Sequence, residues 1–363
     1  MFNIPKKMNI SLKPTPLYKM KSISEDLGCN IYIKRDDLLG VGFGGNKIRK
    51  LEYLLKDAID NGYKTIVTSG SLQTNHGMLT AIMSKMIGIN CILFLLIENN
   101  EEKVLSGNLL LDDYIGCDIE LIDVVDIMSN ENLTTEEKDN LVSNRLNEEI
   151  KKKIPCYCKK YNFKESEIYK IVSAGSMPIG VFGYVECMKE IYEQKEVNKF
   201  DYVFCGNGSG GTYAGMLLGN EYYFNGEQNI IGVNIEEMSK EKPKFISDIV
   251  KKASYIAKNE EVEIYDKLTF LNDSIGNGYA IPDDETMKTI EYFSRNEGFF
   301  LDPVYTGKIF NGTLKYIKDN LQNSGKNILI LHSGGTTGIF NHIMKKYRED
   351  NSELIKRWKN DIC

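Results

Sequence analysis

A short apolar run, a loop rich in Gly, Ser and Asn, and then a helical pattern recur along this chain, and that rhythm commits it to a parallel α/β sheet. Residues 46–60 set Ile48, Leu51, Leu55 and Ala58 on one face at helical spacing, and Gly62 closes the element. Thr65–Ser69 reads as a strand, and Gly70-Ser71-Leu72-Gln73-Thr74-Asn75 leads from it into a helix carrying Met78, Ile82 and Met86. The apolar run Cys91–Ile97 reads as a buried strand. Ile168–Val172, Asp201–Cys205 and Asn327–Leu331 continue the series, with Pro178 placed to open a helix as its first residue.

At 363 residues the chain exceeds the roughly 250–300 that one hydrophobic core usually serves, so two domains are expected. Residues 98–165 are more polar and acidic, and their clearest feature is a helix from about 134 to 153, with Thr134-x-x-Glu137 as its capping box. That stretch reads as an elaboration outside the catalytic core.

Several function classes fall away early. A net charge of −6 carries no polyanion-binding signature, and the run Lys151-Lys152-Lys153 reads as a solvated helix end, so no nucleic acid is expected. Cys91–Ile97 is the longest apolar run, far short of the ~20 residues that span a bilayer, so no membrane partner is expected. Eight scattered cysteines and no apolar N-terminal segment suit free thiols in the cytoplasm. Cys156-x-Cys158 has no histidine near it, and His76, His332 and His342 are widely spaced, so no metal is expected.

Three loops could carry chemistry. Cys205-Gly206-Asn207-Gly208-Ser209-Gly210-Gly211-Thr212 joins a strand to a helix, where glycines admit a phosphate and helix N–H groups receive it. Its Gly206-x-Gly208-x-x-Gly211 spacing also fits a dinucleotide fingerprint, which would make the chain an NAD-dependent oxidoreductase. The acid that fingerprint wants roughly 20 positions on is missing, since Glu236 lies 30 beyond Gly206. Ser69–His76 offers hydroxyls, amides and an imidazole at a strand-to-helix switch. There Thr74 and nearby N–H groups could capture a carboxylate, or Thr74 or Asn75 could simply cap the helix. Lys47 follows Gly42, Gly44 and Gly45, with Arg49 and Lys50 close by. Neighbouring cations and burial favour a neutral, nucleophilic amine, although read alone this is a surface lysine.

Read together, these pieces resemble a known family. Thr15-Pro16-Leu17, Ile33-Lys34-Arg35-Asp36-Asp37, Gly44-Gly45-Asn46-Lys47-Ile48-Arg49-Lys50-Leu51-Glu52 and Leu72-Gln73-Thr74-Asn75-His76 occur in order. The glycine loop at 208–212, Asp302-Pro303-Val304-Tyr305-Thr306-Gly307-Lys308 and His332-Ser333-Gly334-Gly335 follow. This series resembles the D-cysteine desulfhydrase and 1-aminocyclopropane-1-carboxylate deaminase family, pyridoxal enzymes of the tryptophan synthase β-subunit fold (fold type II). The resemblance implies a two-domain, three-layer α/β/α fold with mostly parallel sheets, pyridoxal 5'-phosphate as cofactor, and a homodimer. It implies a large discontinuous cofactor domain at 1–50 and 166–363 and a small domain at 51–165, enlarged by the polar segment at about 98–150. The active site would lie in the cleft between them.

Roles follow position by position. Lys47 would be the Schiff-base lysine and proton shuttle, with Asn46 beside it on the cofactor. Asn75 would hydrogen-bond the cofactor's phenolic oxygen, and Gly208, Ser209, Gly210, Gly211 and Thr212 would hold its phosphate, so the dinucleotide reading gives way. Ser333 would face the pyridine nitrogen, a neutral partner that suits elimination. Lys47, Thr74, Tyr279 and Tyr305 form the expected catalytic set. Thr74, Asn75, His76, Ser176 and Tyr305 form the expected substrate-binding set.

Three positions separate the family's branches. Deaminase members carry Glu, Leu and Gln where this chain has Thr306, Ser333 and His76, which implies desulfhydrase-type chemistry. Other departures fall around the substrate: Thr74 replaces the usual Ser, Gly77-Met78 the usual Val-Arg, and Ala174-Gly175-Ser176-Met177-Pro178 the usual Gly-Gly-Ser-Asn segment. The implied reaction is an α,β-elimination on a small β-substituted amino acid, giving a keto acid, ammonia and the leaving group. A β-replacement synthase or a cyclopropane-carboxylate deaminase would share the cofactor residues.

Overall fold

The computed structural model describes residues 3–99, 105–276 and 278–340. Its strands and helices, numbered in chain order, fall into two sheets with their covering helices. The larger sheet runs β1 (Leu17–Lys19), β2 (Asn30–Arg35), β10 (Asn327–His332), β7 (Tyr202–Asn207), β8 (Asn229–Asn234), β9 (Phe270–Leu271). Only the β1–β2 pair is antiparallel. The smaller sheet runs β5 (Asp118–Asp123), β4 (Asn90–Ile97), β3 (Thr65–Ser71), β6 (Ile168–Lys170), all parallel.

Strands buried on both faces explain the near-continuous apolar runs. β10 sends Leu329 and Leu331 into a core under α7 (Pro178–Gln194), α8 (Gly211–Phe224) and α9 (Lys242–Lys258). Its Ile328 and Ile330 enter a second core under α1 (Lys21–Leu27), α10 (Asp284–Asn296) and α11 (Thr306–Asn320). In the smaller sheet β4 points Ile92, Phe94 and Leu96 towards α6 (Thr135–Tyr161). Its Leu93, Leu95 and Ile97 face α3 (Asn75–Ile87) and α4 (Gly107–Ile115). The result is the three-layer α/β/α architecture that the resemblance implies.

α2 (Lys47–Asp60) packs its Ile48, Leu51, Leu55 and Ala58 stripe with Ile66, Leu79 and Ile171, on the smaller sheet's side. We propose a small domain around that sheet. Its last strand, β6, lies just past the expected 51–165 bounds, and residues 341–363 lie outside the described residues.

Two elements depart from the sequence pattern. The helix expected to end near 153 continues through Pro155 to Tyr161. Val142, Leu146, Ile150, Ile154 and Cys158 form a stripe at four-residue spacing that packs on the sheet, and this burial outweighs one hydrogen bond lost to proline. Its capping box forms as expected, with Thr134 Oγ1 accepting from the Glu137 N–H and Glu137 Oε2 accepting from the Thr134 N–H. The strand expected over Ile168–Val172 stops at Lys170, because the Thr68 hydroxyl takes the Ile171 carbonyl at 2.8 Å.

Among the described residues, no helix is long and apolar enough to cross a membrane. No group of three or more His, Cys, Asp and Glu among them could hold a metal.

Asp112 on α4 is fully buried beside Cys91 and Cys117, with both carboxyl oxygens unpartnered among the described residues. Burial pushes its carboxyl up to about 7. The fold tolerates the protonated form, so the residue costs nothing below the unfolded value of 3.8 and progressively more as pH rises from there to about 7. Asp112→Asn should therefore be more stable than the wild type at pH 8 by about 1–3 kcal/mol, with the difference gone near pH 4. Urea unfolding at the two pH values measures this.

Candidate active site

The carboxyl ends of strands from both sheets open onto one cavity of about 840 Å³. β3 contributes Gly70 and Ser71, the loop after β7 contributes Gly208 to Gly210, β8 leads to Ile235 and Glu236, and β10 leads to Ser333. This edge is where parallel sheets bind ligands, because the helices that follow point their N-termini there.

Lys47 is the first residue of α2 and lines the cavity. The turn before it needs glycine: Gly44 has φ +72°, and a Cβ there would lie 1.8 Å from the Asp37 carbonyl oxygen. The Gly45 N–H donates to the Asp36 carbonyl at 2.8 Å, and the Asn46 N–H to the Ser333 carbonyl at 2.9 Å. Asn46 then bridges two parts of the site. Its Oδ1 accepts from Lys47 Nζ at 3.0 Å, and its Nδ2 donates to Thr212 Oγ1 at 3.0 Å. Burial lowers the Lys47 amine to about 8, with Asp302 pulling weakly the other way. The neutral amine is therefore a minority near physiological pH, but far more populated than for a lysine in open water.

The glycine loop joins β7 to α8, and Gly210, at φ +85°, occupies the helix's N-cap position. Ser176 lies beneath this loop. It donates to Ser209 Oγ at 2.8 Å and accepts from the Gly211 N–H at 3.2 Å. Lys242 Nζ donates to the Gly208 carbonyl at 2.7 Å. A Cβ at Gly211 would come within 2.6 Å of Ser176 Oγ and 3.0 Å of Lys50 Nζ, so a side chain there would close the cradle. Lys50 is buried, one helical turn after Lys47, and among the described residues donates only to the Ala174 carbonyl, at 3.2 Å. Burial and the neighbouring Lys47 push its amine well down.

The opposite wall comes from α3. Thr74 caps it, with Oγ1 accepting from the Gly77 N–H at 3.3 Å, and keeps its hydroxyl proton to donate. Asn75 Oδ1 accepts from Asn108 Nδ2 at 2.7 Å and from Thr337 Oγ1 at 3.4 Å, which leaves the amide NH2 as the group it can offer a ligand. His76 Nε2 lies 3.0 Å from Thr68 Oγ1, whose single proton goes to Ile171, so Nε2 carries the ring proton. Nδ1 is then a buried acceptor, unpartnered among the described residues. Burial, Lys47 and Lys50 hold this imidazole down at about 3, hence neutral. Tyr279 and Tyr305 face each other with their hydroxyls hydrogen-bonded, and Lys47 Nζ lies 6.0 Å from the Tyr305 ring centre. Tyr279 is exposed over part of its surface and Tyr305 is half-buried, and the loss of water around their hydroxyls pushes both phenols up, so both stay protonated.

The expected site residues thus meet in one place, with distinctions. Ser333 lines the cavity, whereas Thr306 is fully buried with its hydroxyl and N–H both bound to Asp302, at 2.6 and 2.7 Å. Ser176 sits on the glycine-loop side. Several residues had escaped the sequence reading. Lys50 could have been found from its three-residue spacing to Lys47 on one helix face. Asn108 and Asp139 come from the polar stretch that read as an elaboration, which therefore reaches the site. Glu236 and Lys242 join the cavity wall because β8 and α9 bring them there.

These residues suit pyridoxal phosphate. Two amines, the half-buried Lys47 and the fully buried Lys50, form no ion pair among the described residues, and a glycine cradle with a helix N-terminus lies beside them. A phosphate dianion would supply the counter-charge, and the neutral fraction of Lys47 would supply the amine that the cofactor's aldehyde requires.

Comparison with known proteins points the same way. Residues 9–334 match the family described as "Pyridoxal-phosphate dependent enzyme". A Thermotoga maritima protein described as "Putative 1-aminocyclopropane-1-carboxylate deaminase" is 36% identical over 339 residues, covering 92% of this chain and 97% of its own. A Pyrococcus abyssi protein of the same description is 35% identical over 348 residues, covering 94% of this chain and 93% of its own. The crystal structure of an ACC deaminase homologue superposes with a TM-score of 0.80 at 32% identity, covering 96% of each chain.

If Lys50 carries the anion's counter-charge, Lys50→Met apoprotein should bind pyridoxal phosphate about 10–100-fold more weakly than wild type. Titration followed by visible absorbance, alongside inorganic phosphate as a competitor, measures it.

Proposed function

The chain belongs to the pyridoxal-phosphate-dependent enzymes of fold type II with pyridoxal 5'-phosphate as its cofactor, and we propose that within them it is an α,β-eliminating lyase of D-cysteine desulfhydrase type. Its substrate would be a small β-substituted amino acid. Cysteine plus water would give pyruvate, ammonia and hydrogen sulfide. A homodimer and a cytoplasmic location belong to the same proposal, and the seven free cysteines described suit a reducing compartment.

One observation carries the reading: a half-buried amine near 8 and a pair of protonated tyrosines line the same small cavity. Elimination needs a base at the α-carbon and an acid at the leaving group. When bound, the cofactor supplies an electron sink for the charge that develops at the α-carbon. Lys47, steered by Asn46, takes the α-proton. Tyr305 or Tyr279 donates a proton to the departing group, and the pair regains that proton from solvent at Tyr279, which is 36% exposed and shares a hydrogen bond with Tyr305. Thr74 and the N–H groups opening α3 receive the substrate carboxylate. Asn75 turns its NH2 to the cofactor, held in that sense by Asn108. Ser333, a neutral hydroxyl, is the residue for the pyridine nitrogen.

The relatives' names favour a second reading, opening of the cyclopropane ring. Against it stands Thr306, which is bound to Asp302 and presents no carboxylate where the deaminase branch carries Glu.

D- and L-cysteine, β-chloroalanine, cysteate, diaminopropionate and aminocyclopropane carboxylate should be assayed for keto acid. Pyruvate from D-cysteine and from β-chloroalanine is the expected result, and oxobutyrate from the cyclopropane alone would overturn it. Tyr305→Phe should lower kcat on the active substrate by about 10²–10⁴-fold with the cofactor still bound.

A further inference from the structure

We infer that Lys308 is a positioning residue for this site: its ammonium ties down the loop that carries Tyr279 and so sets the Tyr279–Tyr305 hydroxyl pair. Lys308 lies in the first turn of α11 and is fully buried. Its Nζ donates to the Ile275 carbonyl at 2.8 Å and to the Gly278 carbonyl next to Tyr279. No carboxylate pairs with it among the described residues. Those two carbonyls belong to the loop between β9 and α10, whose other ties include Asn234 Nδ2 to Asn272 Oδ1 at 2.7 Å and Lys315 Nζ to the Asp273 carbonyl at 3.3 Å, both ahead of the turn that carries Tyr279. Gly276, Gly278 and Ala280 there have φ of +61°, +118° and +58°. The loop's own turns rest on weak N–H···O contacts, including 3.4 Å at both Gly278 and Ile281. A lysine ammonium is a compact point charge with three donors and no acceptor, so it gathers carbonyl oxygens around it.

The other end of the same short segment does the matching work on Tyr305. Asp302 accepts from the N–H groups of Val304, Tyr305 and Thr306 at 2.9, 2.8 and 2.7 Å. Residues 302–308 thus fix one tyrosine through a buried carboxylate and the other through a buried ammonium. Burying a charge without a direct ion pair is costly even with Asp283 and Glu236 acting on it from farther off, and a methionine would fill the same space more cheaply. What the charge provides is a fixed Tyr279.

This inference rests on the proposed role of the tyrosine pair, so two readouts separate the claims. The first needs no activity. In the apoprotein, Lys308→Met should raise chymotryptic cleavage of the Tyr279–Ala280 bond about tenfold while other cleavage sites keep their rates. The second uses holoenzyme and β-chloroalanine. Lys308→Met should cost about tenfold in kcat in the wild-type background and nothing further in Tyr279→Phe, with KM and cofactor affinity little changed. Should Lys308→Met not fold, Lys308→Gln is read in the same assays. Unchanged cleavage at Tyr279, uniform opening at every site, or losses that multiply in the double variant would overturn the inference. If wild type does not turn over β-chloroalanine, the proposed function fails and the cleavage assay alone judges Lys308.

Discussion

A guanidinium with no exposed surface, two residues past Lys47, is shared by carboxylates from two other parts of the chain. Arg49 donates through Nε and Nη2 to both oxygens of Asp36 at 2.8 Å, and through Nη1 and Nη2 to Glu190 at 2.7 and 3.0 Å. Tyr184 and Thr15 complete Asp36 at 2.8 and 2.9 Å, and Lys34 completes Glu190 at 2.9 Å. Each partner pins a different element: Asp36 follows β2, Glu190 lies on α7, and Arg49 lies on α2. Such a network adds little over an apolar core, but losing one member strands the opposite charge. Its value here is directional. On a helix, position 49 points away from positions 47 and 50, so anchoring Arg49 behind α2 turns Lys47 and Lys50 into the cavity. Asp36 also accepts the Gly45 N–H through its backbone carbonyl, so one residue secures both the glycine turn and the helix that follows it.

Around that anchor, opposite charge is kept from the two amines. The Asp302 carboxylate is the nearest influence on Lys47, yet its lone pairs are spent on three backbone N–H groups and the Thr306 hydroxyl. His76 is neutral because it lies between burial and two lysines. The cavity wall at the glycine loop therefore carries amines, N–H groups and hydroxyls, with the carboxylates Glu236 and Asp139 set near Lys242. Glu236 also reaches the glycine loop, its Oε1 lying 4.0 Å from where a Gly208 Cβ would stand, and Lys242 Nζ, bound to the Gly208 carbonyl, offsets that charge.

What could be read from the sequence was what is local in it. Lys47 after its glycines, the loop at 208–212 and the strands Thr65–Ser69 and Asn327–Leu331 each announce themselves within a few residues, because a turn or a phosphate cradle is built from contiguous backbone. Asn108 has no such mark. It matters only because α4 folds back until its amide meets Asn75, 33 residues away in sequence. Helix α6 outran its expected end for a related reason. Pro155 is a local stop signal, and the apolar stripe that overrides it gains its weight from a sheet the sequence does not place. Thr306 shows the limit of motif reading, since it aligns with a branch-defining position yet turns its hydroxyl inward to Asp302. The Ser173–Gly175 turn, with Ala174 at φ +60°, carries Ser176 to the glycine loop, on the wall of the same cavity.

One physical cause assigns the acid and the base. Removal from water disfavours the charged form whatever its sign, so the same burial that lowers the Lys47 amine to about 8 raises the phenols of Tyr279 and Tyr305. In open water the amine would be the acid and neither group would serve. In the cavity a share of the amine is free to accept a proton while the phenols keep theirs to give, with no further charge needed to divide the roles. The tyrosine half of the site is the more open one, with Tyr279 exposed and Tyr305 half-buried. Lys47 stands on a helix clamped by Arg49, whereas Tyr279 stands on a loop with three residues at positive φ. A cofactor bound to the first half is held by the fold, while proton delivery from the second half is only as reliable as the loop beneath it.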